Sequence, residues 1–323
     1  MCMILSLIPR ELLQVLFIHS LRGRDPSSRR GGTKDDKQGV NNITSRIVKR
    51  LKLPKPTSYK GDNGQLLIIA GSKQYHGSLL YAIKAASKIV DLIYVLTTKE
   101  NQRLVQLLKN RSAGFISVGD LSLIPSPRQG REVKADCVLI GPGMGTGERT
   151  YKLVERVLKS GVKAVLDADA INVLDKKLLN LLDTNHILTP HKGEFGRLWQ
   201  KSSTSPSFPP HRLGRKAEEL MHRYGSTIVL KGRVDVVAHA EQGLKFNYTG
   251  NEGMTKGGTG DVLAGLIAGL FCKNDAFAAA AASVYINGLA GDELYKKVGP
   301  YYNAEDLVEQ IPQTLWRLIN PKH

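Results

Sequence analysis

One carboxylate stands between a glycine-rich loop and a helix without charge. Asp261 follows Gly257, Gly258, Thr259 and Gly260, and the uncharged run "VLAGLIAGLF" comes directly after it. A helix this apolar is expected to be buried, and its N terminus would direct free N–H groups and about half a positive charge at an anion in the loop. Asp261 could then accept the proton of a hydroxyl that attacks a phosphoryl group. The alternative is an aspartate that only caps the helix.

Glycines and polar residues also follow most of the predicted strands. The segments are "GSKQYHGS", "GPGMGTGE", "LDADAINVL", "LTPHKGEF" and "VLKGRVD". Because ligands bind outside the carboxyl ends of parallel strands, we expect these segments to converge. "GPGMGTGE" is similar to a dinucleotide fingerprint, but it comes fourth in the series of strands and contains Pro142. A Rossmann assignment is therefore disfavoured.

Five side chains in these segments are candidates for chemistry. Asp167 and Asp169 could hold a divalent cation through water, or Asp169 could cap a helix. His191 and Glu194 are spaced to share one side of the entry into a helix. Lys231 could contact phosphate or could be a solvated lysine in a turn.

Hydrophobic patterning predicts the elements that must position these residues. Short aliphatic runs alternate with helical patterns, which is typical of an α/β fold with a parallel sheet covered by helices on both faces. The predicted strands are 65–70, 92–97, 114–118, 135–140, 163–167, 186–189 and 226–231. The next two apolar runs predict a hairpin at the sheet edge, and the chain is predicted to be helical from Asp261 almost to its end.

The charge of the chain is concentrated near its beginning. The formal net charge is +17, and residues 1–60 hold 13 Lys and Arg against 4 Asp and Glu, hence +9. A basic segment on a mildly basic body suits anionic substrates such as nucleotides, and no nucleic-acid motif accompanies it. The three scattered cysteines predict a reducing, cytoplasmic location without disulfides.

Two regions are predicted. Residues 1–42 are predicted to form an amino-terminal extension that is either disordered or the result of a wrongly assigned start codon. For its first part, an amphipathic surface helix is an alternative. Its apolar run is broken by Pro9, Arg10 and Glu11 and is too short to span a membrane. The folded domain is predicted to comprise residues 43–323.

The motifs together resemble the ribokinase-like superfamily and, within it, the NAD(P)H-hydrate dehydratase family. "GGTGDVLAG" is typical of the superfamily, while "TPHKGEF" with "GPGMGTG", "LDADAINVL" and "GSKQYHGS" makes the narrower resemblance specific. The resemblance covers about residues 43–320. It implies a three-layer αβα sandwich with a mostly parallel central sheet.

The resemblance also implies metabolite repair. Members of the family restore the S epimers of hydrated NADH and NADPH to the reduced cofactors, using ADP or ATP as phosphoryl donor with magnesium. Phosphorylation of the added hydroxyl makes it a good leaving group. A separate epimerase would cooperate with such a chain, since residues 1–42 are too few to form the epimerase domain that many members carry. Homo-oligomers, a tetramer among them, are implied as well.

Site residues follow from the resemblance. Asp261 would be the catalytic base and would contact the hydrated substrate, together with Ser78, Gly145 and His191. The adenine nucleotide would contact the segment Lys231, Gly232, Arg233, Val234 and Asp235 and the loop residues Gly258, Thr259 and Gly260. Ser78 stands where the family often has alanine, and no protein ligand of the metal is implied.

Two other functions remain open at the level of sequence. A small-molecule kinase of the same superfamily would use the same loop and would release a stable phosphorylated product. A non-enzymatic module that binds nucleotides or nucleic acid through the basic amino-terminal segment belongs to another class, and its binding would weaken steeply with salt.

Overall fold

A nine-stranded sheet organises the part of the chain that the structure, a computed structural model, describes: residues 41–109, 114–119, 135–202 and 213–321. The strand order is β3-β2-β1-β4-β5-β6-β7-β8-β9. The pairs formed among strands β1 to β7 are all parallel, whereas β8 is antiparallel to both β7 and β9. The bounds are β1 Gln65–Ile69, β2 Leu92–Leu96, β3 Ile116–Ser117, β4 Cys137–Ile140, β5 Lys163–Leu166, β6 His186–Leu188, β7 Thr227–Leu230, β8 Asp235–His239 and β9 Gly243–Asn247.

The strands form where the sequence predicts them because their aliphatic runs are buried on both faces of the sheet. In β1 and β4, the aliphatic side chains are at most 2% exposed, as expected for central strands of a parallel sheet. Each strand is shorter than its predicted run, and β3 has two residues where five were predicted. The predicted hairpin at the edge is confirmed as β8 and β9.

Helices cover both faces. They are α1 Gly77–Ala86, α2 Lys99–Lys109, α3 Glu148–Lys159, α4 Asp169–Asn172, α5 Lys176–Leu179, α6 Lys192–Ser202, α7 Leu213–Tyr224, α8 Thr259–Phe271, α9 Ala276–Val298 and α10 Ala304–Ile319. One apolar cluster joins α1, α8, α9 and α10 to the sheet, and a second cluster joins α3 to α7 to its other face. The predicted three-layer αβα arrangement with a mostly parallel sheet is therefore confirmed.

The loops after β1 and β4 meet where the strand order reverses. From β1 the chain moves to β2 and β3 on one side, and β4 then pairs with the other side of β1. The Gly71 N–H donates to the Pro142 carbonyl at 2.8 Å. Gly143 has a φ of 64°, and a Cβ there would lie 2.8 Å from that of Tyr75. Such a crossover point is the expected ligand site of an open parallel sheet.

The apolar helix α8 packs closely on α1. The residues from Val262 to Phe271 are all buried, as predicted from the uncharged run. A Cβ on Gly265 would lie 2.5 Å from the Ala82 carbonyl oxygen, so the two backbones touch without an intervening side chain. This contact sets the position of the α8 N terminus.

The predicted extension of residues 1–42 lies outside the described residues apart from Asn41 and Asn42. From Asn41 the chain pairs with β9, because Phe246 donates to the Asn41 carbonyl and accepts from Ile43 N–H at 2.9 and 2.8 Å. Within the four described ranges, no helix is both long enough and apolar enough to cross a bilayer.

Replacement of Gly265 tests the α1–α8 contact. Gly265→Ala should lower the free energy of unfolding by about 1–3 kcal/mol, because the methyl group has no room beside the Ala82 backbone. Urea denaturation measures the effect. Gly196→Ala in α6 is the matched control: nothing lies within 4 Å of its Cβ position, and alanine favours a helix by up to about 1 kcal/mol over glycine. Equal stability of the two variants would contradict the close packing.

Candidate active site

The first turn of α8 places Asp261 at the edge of the sheet. The N-cap of α8 is Gly258, which has a φ of 96°, so the alternative in which Asp261 caps the helix is wrong. The Thr259 hydroxyl donates to the carbonyls of Met254 and Lys256 at 2.7 and 2.9 Å. A Cβ on Gly258 would lie 2.6 Å from the Tyr81 ring of α1. The turn is thus fixed from both sides.

Asp261 is a half-buried carboxylate among charged neighbours. Burial is the main cause that raises its pKa to about 7, and the negative charges of Asp167 and Glu194 act in the same direction. The Lys231 cation and a hydrogen bond with Ser78 act against them. A carboxylate with a pKa near neutrality is suited to accept and release a proton at physiological pH.

An ion pair lies next to Asp261. Lys231 Nζ donates to Asp167 Oδ1 at 2.7 Å, and the Thr189 hydroxyl donates to the same oxygen at 2.7 Å. The Lys231 side chain is 18% exposed, so the interpretation as a solvated turn lysine is wrong. Its Nζ lies 3.7 Å from the position of a Cβ on Gly260. The cation is therefore held against the first turn of α8.

Burial and ion pairing have opposite effects on the pKa of Lys231. Burial lowers its pKa, but the negative charges of Asp167, Glu194 and Asp261 and the hydrogen bond to Asp167 outweigh burial and raise the pKa above its usual value. Lys231 is therefore a fixed positive charge at neutral pH.

His191 and Glu194 face each other at the start of α6, as their spacing predicts. The His191 backbone N–H donates to Glu194 Oε2 at 2.9 Å, and His191 Nε2 lies 3.4 Å from Oε1. The Gly193 N–H donates to His191 Nδ1 at 2.9 Å. Glu194 is buried, while 54% of the His191 side chain is exposed and available to a ligand. A backbone bridge joins His191 to Lys231, so this pair belongs to the same cluster.

Asp167 and Asp169 point to different partners. Ala168 between them has a φ of 47° and is the N-cap of α4, a strained backbone for a residue with a side chain. Asp169 accepts from the Gly145 N–H at 2.7 Å, and the alternative in which Asp169 caps the helix is wrong. The Gly145 loop is thereby tied to the same edge of the sheet as Asp167.

Ser78 lies in the first turn of α1, and the loop before it is anchored by α2. The buried Asn101 donates to the Ser72 carbonyl at 3.0 Å, and its amide oxygen contacts His76 Nδ1. Sequence reasoning missed Asn101 and also Thr189. Asn101 lies far from the loop in sequence, but Thr189 stands at the end of a predicted strand, where a polar side chain is a usable signal.

The rest of the predicted nucleotide segment forms the turn between β7 and β8. Asp235 accepts from the Gly232 N–H and from Asn247 Nδ2, both at 3.0 Å, and burial raises the pKa of its carboxyl group. Gly232 and Arg233 are exposed and Val234 is half-buried. The structure thus brings Ser78, His191, Lys231 and Asp261 together and places Arg233 at the open tip of the turn.

The cluster offers the elements of phosphoryl transfer to a hydroxyl group. Asp261 supplies a base, Lys231 a cation, and the first turn of α8 a set of N–H groups for an anion. Among the described residues, no group of three or more His, Cys, Asp and Glu side chains is arranged to hold a metal ion.

Two relatives of this chain are named for the repair of hydrated NAD(P)H. A 34% identical relative from Nitrosopumilus maritimus, named ADP-dependent (S)-NAD(P)H-hydrate dehydratase, aligns over 83% of this chain and 94% of its own length. A bifunctional NAD(P)H-hydrate repair enzyme from Methanocaldococcus jannaschii is 39% identical over 83% of this chain. The chain spans about half the length, 51%, of that relative.

A solved structure confirms the fold. The ADP/ATP-dependent NAD(P)H-hydrate dehydratase from Bacillus subtilis, crystallised with ATP and Mg²⁺, superposes with a TM-score of 0.70 at 26% identity and covers 86% of this chain and 98% of its own. A ribokinase-like superfamily protein from Enterococcus faecalis has the same fold, with a TM-score of 0.70 at 24% identity over 90% of this chain and 99% of its own.

The family model described as NAD(P)H-hydrate dehydratase matches residues 66–313, which include every predicted site residue. Because this match extends over more than half of the 323 residues, the protein belongs to the NAD(P)H-hydrate dehydratase family.

Proposed function

We propose that the protein repairs hydrated NADH and NADPH by phosphorylating the added hydroxyl group with ADP or ATP and then eliminating phosphate. The observation that carries this proposal is the position of Asp261 beside Lys231 at the N terminus of α8. The near-complete alignment with a relative named as an ADP-dependent dehydratase supports it.

In the first step, Asp261 takes the proton of the substrate hydroxyl while that oxygen attacks the terminal phosphorus of the donor. Lys231 and the N–H groups of the α8 turn stabilise the negative charge on the transferred group. A magnesium ion bound through phosphate oxygens would neutralise further charge.

In the second step, the carbon–oxygen bond of the phosphate ester breaks and a neighbouring ring carbon loses a proton, which restores the double bond of the reduced nicotinamide. The overall reaction removes one molecule of water from the substrate and hydrolyses the donor, so AMP and phosphate form from ADP. A free hydroxide would be a poor leaving group, and phosphate is a good one.

The binding roles of the remaining residues are part of the proposal. Ser78 and the exposed His191 would contact the hydrated dinucleotide, together with Gly145 in the loop after β4. The donor nucleotide would lie along the turn from Lys231 to Asp235 and reach the loop Gly258–Gly260. A separate epimerase, a homo-oligomeric state and the domain boundary at residue 43 stay predictions.

The first test is recovery of reduced-nicotinamide absorbance from hydrated NADH in the presence of magnesium, with ADP and ATP in separate reactions. Wild-type protein should restore the absorbance with at least one donor. Asp261→Ala should lower kcat by about 10²–10⁴-fold, because the general base is lost.

Circular dichroism of Asp261→Ala serves as the control for folding. Folded wild-type protein that restores no absorbance with either donor would contradict the proposal. A stable phosphorylated product in place of phosphate release would favour a small-molecule kinase.

The second test is pH dependence. Since Asp261 must be ionised to accept a proton and its pKa is about 7, kcat should rise with pH between about 6 and 8. A rate that is already maximal at pH 5 would contradict the assignment of Asp261 as the base.

The stability of the fold should fall with rising pH, whereas kcat should rise. The pKa of Asp261 in the folded protein is raised above its usual value of 3.8 to about 7. Between these two pH values the folded protein binds more protons than the unfolded chain, so stability falls as the pH rises from about 4 to 7. Asp261→Asn removes this titration. The variant should therefore gain Tm relative to wild type at pH 8 and show no such gain at pH 4, as measured by thermal unfolding.

A further inference from the structure

A buried ion pair needs an explanation other than stability. Asp167 is 2% exposed and its partner Lys231 has a side-chain exposure of 18%. Taking two charges out of water costs about as much as their attraction returns, so such a pair adds little to the stability of a fold. The chain nevertheless places this pair at the carboxyl ends of β5 and β7, next to Asp261.

Thr189 adds a second constraint on the carboxylate. Its hydroxyl donates to Asp167 Oδ1, the same oxygen that accepts from Lys231 Nζ, and both distances are 2.7 Å. Thr189 directly follows β6, which lies between β5 and β7 in the sheet. The three side chains therefore come from three adjacent strands and form one hydrogen-bonded row across the sheet edge.

The row fixes a side chain that is otherwise mobile. A lysine ammonium is a point charge on a flexible four-carbon stem. Here it is held with Nζ 3.7 Å from the Cβ position of Gly260. The ammonium therefore lies beside the first turn of α8, and electrostatic catalysis depends on such preorganised charge.

We propose that Asp167, oriented by Thr189, is a positioning residue that holds the Lys231 ammonium where the phosphoryl group is transferred. This inference rests on the proposed phosphoryl-transfer function and extends it: Lys231 acts on the transferred group and does more than bind the nucleotide. In this proposal Asp167 acts through Lys231.

The test compares Asp167→Asn with wild type in the absorbance assay. The isosteric amide keeps the shape and removes the charge that holds Lys231. We expect kcat to fall about 10²-fold, while KM for the donor changes far less. The acid limb of the pH profile should also move to lower pH, because Asp261 loses a negative neighbour that favours its protonated form.

Two substitutions of Thr189 separate orientation from charge. Thr189→Val keeps the volume and loses the hydroxyl, and kcat should fall about tenfold. Thr189→Ser keeps the hydroxyl and should restore nearly wild-type kcat. Equal losses in both variants would overturn the role of the hydroxyl bond.

Asp136→Asn is the matched control. Asp136 forms an ion pair with Lys273 at 3.0 Å and precedes β4, at the opposite end of the strands. This variant should keep wild-type kcat. If Asp136→Asn and Asp167→Asn lose the same activity, or if Asp167→Asn raises only KM, the positioning proposal is overturned.

A second readout needs no turnover. Acetic anhydride modifies only unprotonated amines, and peptide mass spectrometry reports the rate at Lys231. The ion pair raises the pKa of Lys231 and should keep its acetylation slow in wild-type protein. In Asp167→Asn, Lys231 should be acetylated several-fold faster. Unchanged labelling would overturn the inference. If Lys231 is labelled faster in Asp167→Asn as expected, but wild-type protein recovers no reduced cofactor, only the dehydratase proposal is overturned.

Discussion

The direct backbone contact between α1 and α8 fixes the position of the candidate active site. Gly265 and Gly258 have no room for a side chain beside Ala82 and Tyr81, and α8 is otherwise apolar and buried. The helix therefore has one position against the sheet. Its N terminus, with Asp261 in the first turn, lies beside the loops that follow the parallel strands. A looser contact would leave Asp261 free to move relative to these loops.

Burial then gives the site its electrostatic character. Three carboxylates, Asp167, Glu194 and Asp261, share the neighbourhood of the Lys231 cation. Because the surroundings exclude much of the water, these charges change the pKa values of Lys231 and Asp261 more than they would at the surface. Lys231 stays charged, and Asp261 titrates near neutrality. A lysine that stays protonated beside a carboxylate with a pKa near neutrality is typical of acid–base sites.

Much of this arrangement could be predicted from local sequence signals. Aliphatic runs predicted the strands, and the uncharged run after Asp261 predicted a buried helix. Glycine segments after the strands indicated the edge of the sheet at which the candidate site lies. Long-range pairings could not be predicted in this way. The sequence suggested that Asp167 could hold a divalent cation, yet Asp167 pairs with Lys231, 64 residues away. Partner choice of this kind depends on strand order and register, which periodicity does not encode.

The pairing of residues 41–43 with β9 affects how copies of the chain could associate. Phe246, near the end of the last strand, has both backbone groups bonded to residues of its own chain. An exposed strand edge is a template for pairing with another chain, and at Phe246 that template is already occupied. Continuation of the sheet from one copy to the next would first have to displace this segment. Association at this end of the molecule would instead depend on contacts between side-chain surfaces.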